Sequence, residues 1–527
     1  MSDLYLGFDL STQQLKCFAI DSKCQKQSEF IVDFEQDLSH YGTVRGYLAS
    51  DDGSKVVTAP VEMWLEAIDL VFEKMTKASF DFSKVKAISG DAQQHGTVYW
   101  SKEGIAKLEN LNPTMTLKEN LNSKLCFTRE FSPIWMDFST EAQCKQLTQK
   151  FGSEILQKTG SVATERFGGA QIMRFKTTEP EKFNETPKIS IISSFFCSVL
   201  LGKIAPIDFN EATGTNLFDF TEQKWHKSIC DFIDPNLTGK LGDPVPSRTI
   251  CGSISKYFCN RYKFPENCKI VAFTGDNAAS LFISGLVQSD ALVTLGSSDC
   301  VFFFTSTPTP RGGCHIFGDP ACKDNFFSLC CFKNSSLARM KVRDQCGLDN
   351  WNDFDNLVKE TNPGNDGCFG IYFYEPESCP PGAQGLAKVK RSNGQTVAVD
   401  KFSPKGSECR AILESQVVAR LYHAEQAGFK IVPGETRVLL TGGASRNKVL
   451  PQIFADVFQS PVFVTENPNS AAFGNALRAM DALDCFDRQQ FKADPWVLIA
   501  EPRAHLKDVY EDMKQLYHHT LQNLLPQ

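Results

Sequence analysis

At 527 residues the chain exceeds the roughly 250–300 at which a single hydrophobic core stops growing, so two large domains are expected. A formal net charge of −7 and the lack of any Lys/Arg-rich run give nucleic acid or an anionic membrane nothing to grip, which points to a small-molecule partner. Nineteen cysteines, spread without a CxxC pair or Cys/His ligand spacing, read as reduced core thiols rather than a disulfide framework.

The first residues enter an apolar run without the charged and apolar regions of a signal peptide, so a cytoplasmic protein is expected. Residues 4–10 and 15–20 are apolar runs around Ser11-Thr12-Gln13-Gln14, a strand, a polar turn and a strand. Asp9 closes the first strand beside hydroxyls and turn N–H groups, a place suited to Mg²⁺ with ATP phosphates and equally to an Asp bonding its own turn. Residues 60–77 carry helical apolar spacing, and 85–90 read as a buried strand. After that strand, Gln93, Gln94 and His95 crowd amide and imidazole groups together, as a polyol requires; a satisfied buried histidine fits as well. Residues 107–123 and 376–395 lack periodicity and read as surface loops. The stretch 189–201, broken by four serines and shorter than the roughly 20 residues a bilayer needs, predicts a buried helix.

Asp276 follows the apolar run 270–273 and Thr274-Gly275, where a carboxylate can accept a hydroxyl proton or cap the Ala-rich helix after it. The opening hairpin then returns: residues 291–295, the turn Gly296-Ser297-Ser298-Asp299, and residues 300–304. Two copies, each opening one half of the chain, suggest two domains on one plan, 1–286 and 287–527, with hairpins facing a shared cleft. Residues 438–441 form a strand ending in Gly442-Gly443, with Asn447 placed to cap the next helix and Pro451 in its first turn; the exposed N–H groups suit a nucleotide or merely a tight turn. A long amphipathic helix spans 506–524, with His518-His519 facing solvent.

In order, GFDLSTQQ (7–14), SGDAQQHG (89–96), PIWMD (133–137), ERFGG (165–169), PIDFNEATGTNL (206–217), AFTGDNAAS (272–280), TLGSSD (294–299), FKNSS (332–336) and LLTGGASRN (439–447) resemble the FGGY carbohydrate kinases. The resemblance implies an α/β fold of two actin-like, ribonuclease H-like ATPase domains flanking a cleft that closes on sugar and ATP. It implies γ-phosphate transfer from ATP, with Mg²⁺, to a small ketose, D-xylulose first, with ribulose, gluconate or glycerol as alternatives. A non-catalytic nucleotide-binding protein on the same scaffold is a further alternative. By motif, His95, Arg166, Asp276 and Asn277 resemble sugar-binding residues, with Asp276 the base and Asp9 the magnesium-associated carboxylate. Gly442, Gly443 and Asn447 resemble nucleotide contacts, Trp351 matches an aromatic residue beside adenine, and the hairpin hydroxyls of Thr12 and Ser297 face phosphate. The second hairpin departs from the family in reading Gly-Ser-Ser for Gly-Thr-Ser. The sequence leaves monomer and homodimer open.

Overall fold

The protein is described by a computed structural model. Residues 3–392, 395–465, 471–486, 491 and 496–525 are described. The chain forms two compact units: Met1–Gly285 with Phe317–Asp324 and Asn469–Ala493, and Leu286–Ile316 with Asn325–Pro468 and Asp494–Gln527. Two segments from beyond residue 286 thus pack with the first unit.

In the first unit Leu4–Leu10 pairs antiparallel with Gln14–Asp21, which pairs antiparallel with Lys26–Asp33. On its other side Leu4–Leu10 runs parallel to Val85–Ala92, and that strand runs parallel to Lys269–Val271. The helices Val61–Lys77 and Ile192–Leu201 bury their apolar faces in the core of this unit, around Trp64, Phe72, Phe195 and Phe196. The late helix Ala471–Asp481 lies directly on the opening strand. Gly7 makes that approach possible, because a Cβ there would stand 1.9 Å from the carbonyl oxygen of Ala472.

The second unit repeats the plan. Ala291–Leu295 pairs antiparallel with Asp299–Thr305 and parallel with Val438–Thr441, which runs parallel to Val462–Thr465. Asp299–Thr305 pairs antiparallel with Phe326–Phe332, as the second strand of the first unit does with its third. The helix Lys405–Gln426 is buried along most of its length in this unit's core. Buried Asp299 at the turn of this hairpin is held by Arg339 and Arg420, at 2.9 and 2.8 Å. Burial raises its carboxyl, but the two guanidinium groups outweigh that and hold it below the usual range.

Several expectations need revision. Residues 188–191 form a strand, and the buried helix begins only at Ile192. Within 107–123 a short helix, Leu117–Asn120, stands on a Thr116–Glu119 capping box, a local signal independent of apolar period. Within 376–395, Gly385–Ser392 is a strand paired with Cys368–Phe373. The long terminal helix is α-helical over Lys507–Leu521 with 3₁₀ turns at both ends, and His518 and His519 are exposed. No helix among the described residues is long and apolar enough to cross a membrane.

Candidate active site

The first unit gathers its acids at the C-terminal ends of adjacent parallel strands. Asp9 stands opposite Asp91 in register, and Thr274-Gly275, paired to the same strand as Asp91, delivers Asp276 as the first residue of the helix Asp276–Ile283. Asp9 accepts a 2.5 Å hydrogen bond from the Ser11 hydroxyl. Asp91 is buried; one oxygen accepts from the Asn475 amide at 2.5 Å and the other has no hydrogen-bond partner. Burial, then the charges of Asp9 and Asp276, push the Asp91 carboxyl well above the carboxylate range. Burial and then Asp9 push Asp276 up to about 7. Glu211, raised by burial and then by Asp208 and Asp276, adds a further buried acid with an unpartnered oxygen. So much like charge in a buried place favours shared protons or a cation.

Beside the acids lies an amide and imidazole network. Asn277 donates its backbone N–H to Asp276 at 2.7 Å and its amide to Gln94 at 3.0 Å. Gln94 reaches Asn210 at 3.5 Å. His95, at a positive φ of 73°, places Nδ1 3.0 Å from the Gly214 carbonyl and stacks on Phe167, with centroids 4.5 Å apart. A carbonyl only accepts, so Nδ1 of His95 carries a proton. Arg166, next to Phe167, is half-buried, and its Nε has no hydrogen-bond partner. The Thr12 hydroxyl is engaged within the unit, donating to Gln93 at 3.2 Å and accepting from the Trp135 indole at 2.9 Å. The structure therefore joins Asp9, Asp276, Asn277 and His95 in one region of the first unit.

In the second unit a cavity of about 380 Å³ is lined by Trp351, Gly443, Ala444, Arg446, Asn447 and Asp355, among others. Trp351, 37% exposed, is not a core tryptophan; Arg343 lies over its ring at 4.9 Å. Gly442 sits at φ 86°, where a Cβ would meet the Leu295 carbonyl oxygen at 2.5 Å, so the Gly-Gly turn lies against the second hairpin. A 3₁₀ turn, Gly443–Arg446, separates the strand from the helix Leu450–Phe458. Asn447 accepts from the backbone N–H of Val449 and Leu450 at 2.9 and 2.8 Å and donates to Asp355, so both ends of its amide brace the turn. Ser297 is exposed in the hairpin turn, outside the walls of this cavity.

Asp91 and Glu211 lie inside recognisable segments, yet their proximity to Asp9 and Asp276 comes only from strand register and a long-range return. Asn475 and Arg478 carry no local signal of their role.

Two units on one ribonuclease H-like plan, one with a carboxylate site and the other with a glycine-turn cavity, define an actin-like phosphotransferase. Models of the FGGY family of carbohydrate kinases match the chain, the N-terminal domain at residues 132–283 and the C-terminal domain at 331–483. A xylulose kinase of Rattus norvegicus is 40% identical over 99% of this chain and 97% of its own. Xylulose kinase 2 of Arabidopsis thaliana is 37% identical over 93% of this chain and 88% of its own. The solved xylulose kinase of Rhodospirillum rubrum has a similar fold at TM-score 0.77 and 15% identity, covering 99% of each chain. The gluconate kinase of Lactobacillus acidophilus does so at 0.76 and 15%, covering 99% of this chain and 98% of its own. The chain belongs to the FGGY family of carbohydrate kinases.

Proposed function

We propose that this chain transfers the γ-phosphoryl group of ATP to D-xylulose, giving D-xylulose 5-phosphate, with Mg²⁺ as the accompanying cation. The observation that carries the choice of sugar is 40% identity to a xylulose kinase over nearly the whole length of both chains. Fold alone does not choose, since a gluconate kinase fits about as well as a xylulose kinase.

The first unit binds the sugar and supplies the base; the second binds the nucleotide. As the terminal hydroxyl attacks the γ-phosphorus, Asp276 accepts its proton, the new O–P bond forms, and the bond to the ADP oxygen breaks. Asn277 orients Asp276 through the 2.7 Å hydrogen bond, and Gln94 orients Asn277. His95 lines the sugar site, and Arg166 adds a cationic donor. Hard carboxylate oxygens fit a hard dication, and Asp91 has an oxygen with no hydrogen bond beside Asp9. Asp9 would hold Mg²⁺, which supplies neutralisation of phosphate charge. Gly442 and Gly443 let the nucleotide approach the backbone, Asn447 holds their turn in shape, Trp351 meets adenine, and Thr12 and Ser297 are the candidate hydroxyl contacts to phosphate.

A coupled assay of ADP release over D-xylulose, D-ribulose, gluconate and glycerol tests this. D-xylulose is expected to give the highest kcat/KM; a higher value for another sugar, or ADP release indifferent to sugar, overturns it. Trp351→Ala is expected to raise the KM for ATP about tenfold with kcat little changed, as loss of a stacking face does when ground and transition states use it alike. An unchanged KM moves adenine elsewhere. Asp276 must be ionised to accept a proton, so kcat/KM for the sugar falls as pH drops through about 7. A profile flat across that value removes Asp276 as the base.

A further inference from the structure

Three of the cysteines, far apart in sequence, converge in the second unit. Cys314 opens the strand Cys314–Gly318, Cys330 lies in Phe326–Phe332, and Cys379 sits in the turn after Cys368–Phe373. All three are free and almost completely buried, at 2%, 0% and 0% exposure. Their sulfurs lie within 4.8 Å of one another, with Cys314 2.6 Å from Cys330 and 3.8 Å from Cys379. The turn is fixed in place: the Glu377 carboxylate accepts the backbone N–H groups of Lys333, Asn334 and Ser378 at 2.5, 3.1 and 2.7 Å.

As small apolar fillers, three cysteines would pack against the surrounding aromatic and aliphatic side chains. Here the three sulfurs turn toward one another. Sulfur ligands select thiophilic ions over magnesium or calcium. With Zn–S bonds of about 2.3 Å, sulfurs around tetrahedral zinc stand about 3.8 Å apart. Cys314 and Cys379 already have that spacing, and Cys330 has to move away from Cys314 by roughly 1 Å to share it. A disulfide would use only two of the three and would need an external oxidant.

We propose that Cys314, Cys330 and Cys379 form a three-thiolate site for one zinc ion, separate from the carboxylates of the first unit and pinning two strands of the second sheet to the turn that carries Cys379. On binding, each thiol gives its proton to solvent and its sulfur to the metal. Three thiolates on a dication leave one negative charge, and the fourth tetrahedral position goes to a small ligand such as water. Sealed as it is, the site loads as the chain folds.

The test is the zinc content of the full-length protein made in zinc-supplemented medium and purified under reducing conditions. About one zinc per chain is expected. Cys379→Ser and Cys314→Ser should each retain roughly a tenth of that or less, while Cys322→Ser, an exposed position, retains it all. Refolding the unsubstituted chain with Cd²⁺ should give thiolate-to-cadmium absorption near the strength of three sulfurs, which keeps the site testable if the serine variants do not fold. No zinc above background, equal zinc in all variants, cadmium absorption of one sulfur or none, or a Cys314–Cys330 disulfide in freshly isolated protein overturns the proposal.

Discussion

Asp276→Ala should lower kcat by about 10² to 10⁴-fold while leaving sugar and ATP affinity close to normal. The loss falls on kcat because the carboxylate takes up its proton only as the hydroxyl attacks. Affinity survives because Asp276 is half-buried at a helix N-terminus and its removal empties no core cavity. Asp276→Asn sharpens the result, since it keeps the shape of the side chain and loses only basicity. Stopped-flow turnover with separate titration of each ligand checks both variants. Turnover near normal in either sinks the assignment of the base.

The second large effect concerns folding. Arg478 is 2% exposed in the helix Ala471–Asp481. Its guanidinium donates to Ser89 Oγ at 3.0 Å, the Gly90 carbonyl at 3.3 Å, Asn475 Oδ1 at 2.9 Å, the Ser247 carbonyl at 2.8 Å and the Ala272 carbonyl at 3.0 Å. Arg478→Ala leaves several buried acceptors unpaired and should cost about 3–5 kcal/mol. Arg478→Lys should recover little, because one ammonium cannot point at five acceptors spread around a planar fork. Urea unfolding of the first unit is the measurement; a loss under about 1 kcal/mol shows the acceptors finding other partners.

Much of this architecture was legible in the sequence because it is local. The two hairpins are apolar runs bounded by polar turns, and the strands Leu4–Leu10 and Ala291–Leu295 begin and end where that pattern places them. The helix Val61–Lys77 shows its period openly. The strand Lys188–Ile191 was hidden because it runs straight into an equally apolar helix, so hydrophobicity alone marks no boundary. The candidate site divides in the same way. Asp9, His95, Asp276 and the Gly442-Gly443 turn announce themselves as chemistry-bearing residues next to strand ends. The pairing of Asp91 with Asp9 depends on a parallel register between strands some eighty residues apart, which no short window contains. Arg478 lies outside every motif read from the sequence, and its role emerges only with the partners of its helix.

The return of the helix Ala471–Asp481 to the opening strand also sets an order of events during synthesis. When the ribosome has released residue 285, the first sheet still lacks the segment whose Asn475 binds the Phe8 carbonyl and whose Arg478 ties together residues 89, 90, 247 and 272. That segment emerges only after most of the second unit has been made. The nascent first half must therefore wait, incompletely assembled, through the translation of nearly two hundred further residues, a period in which chaperone protection matters most. A gene cut at the apparent boundary would encode a fragment missing its own last helix.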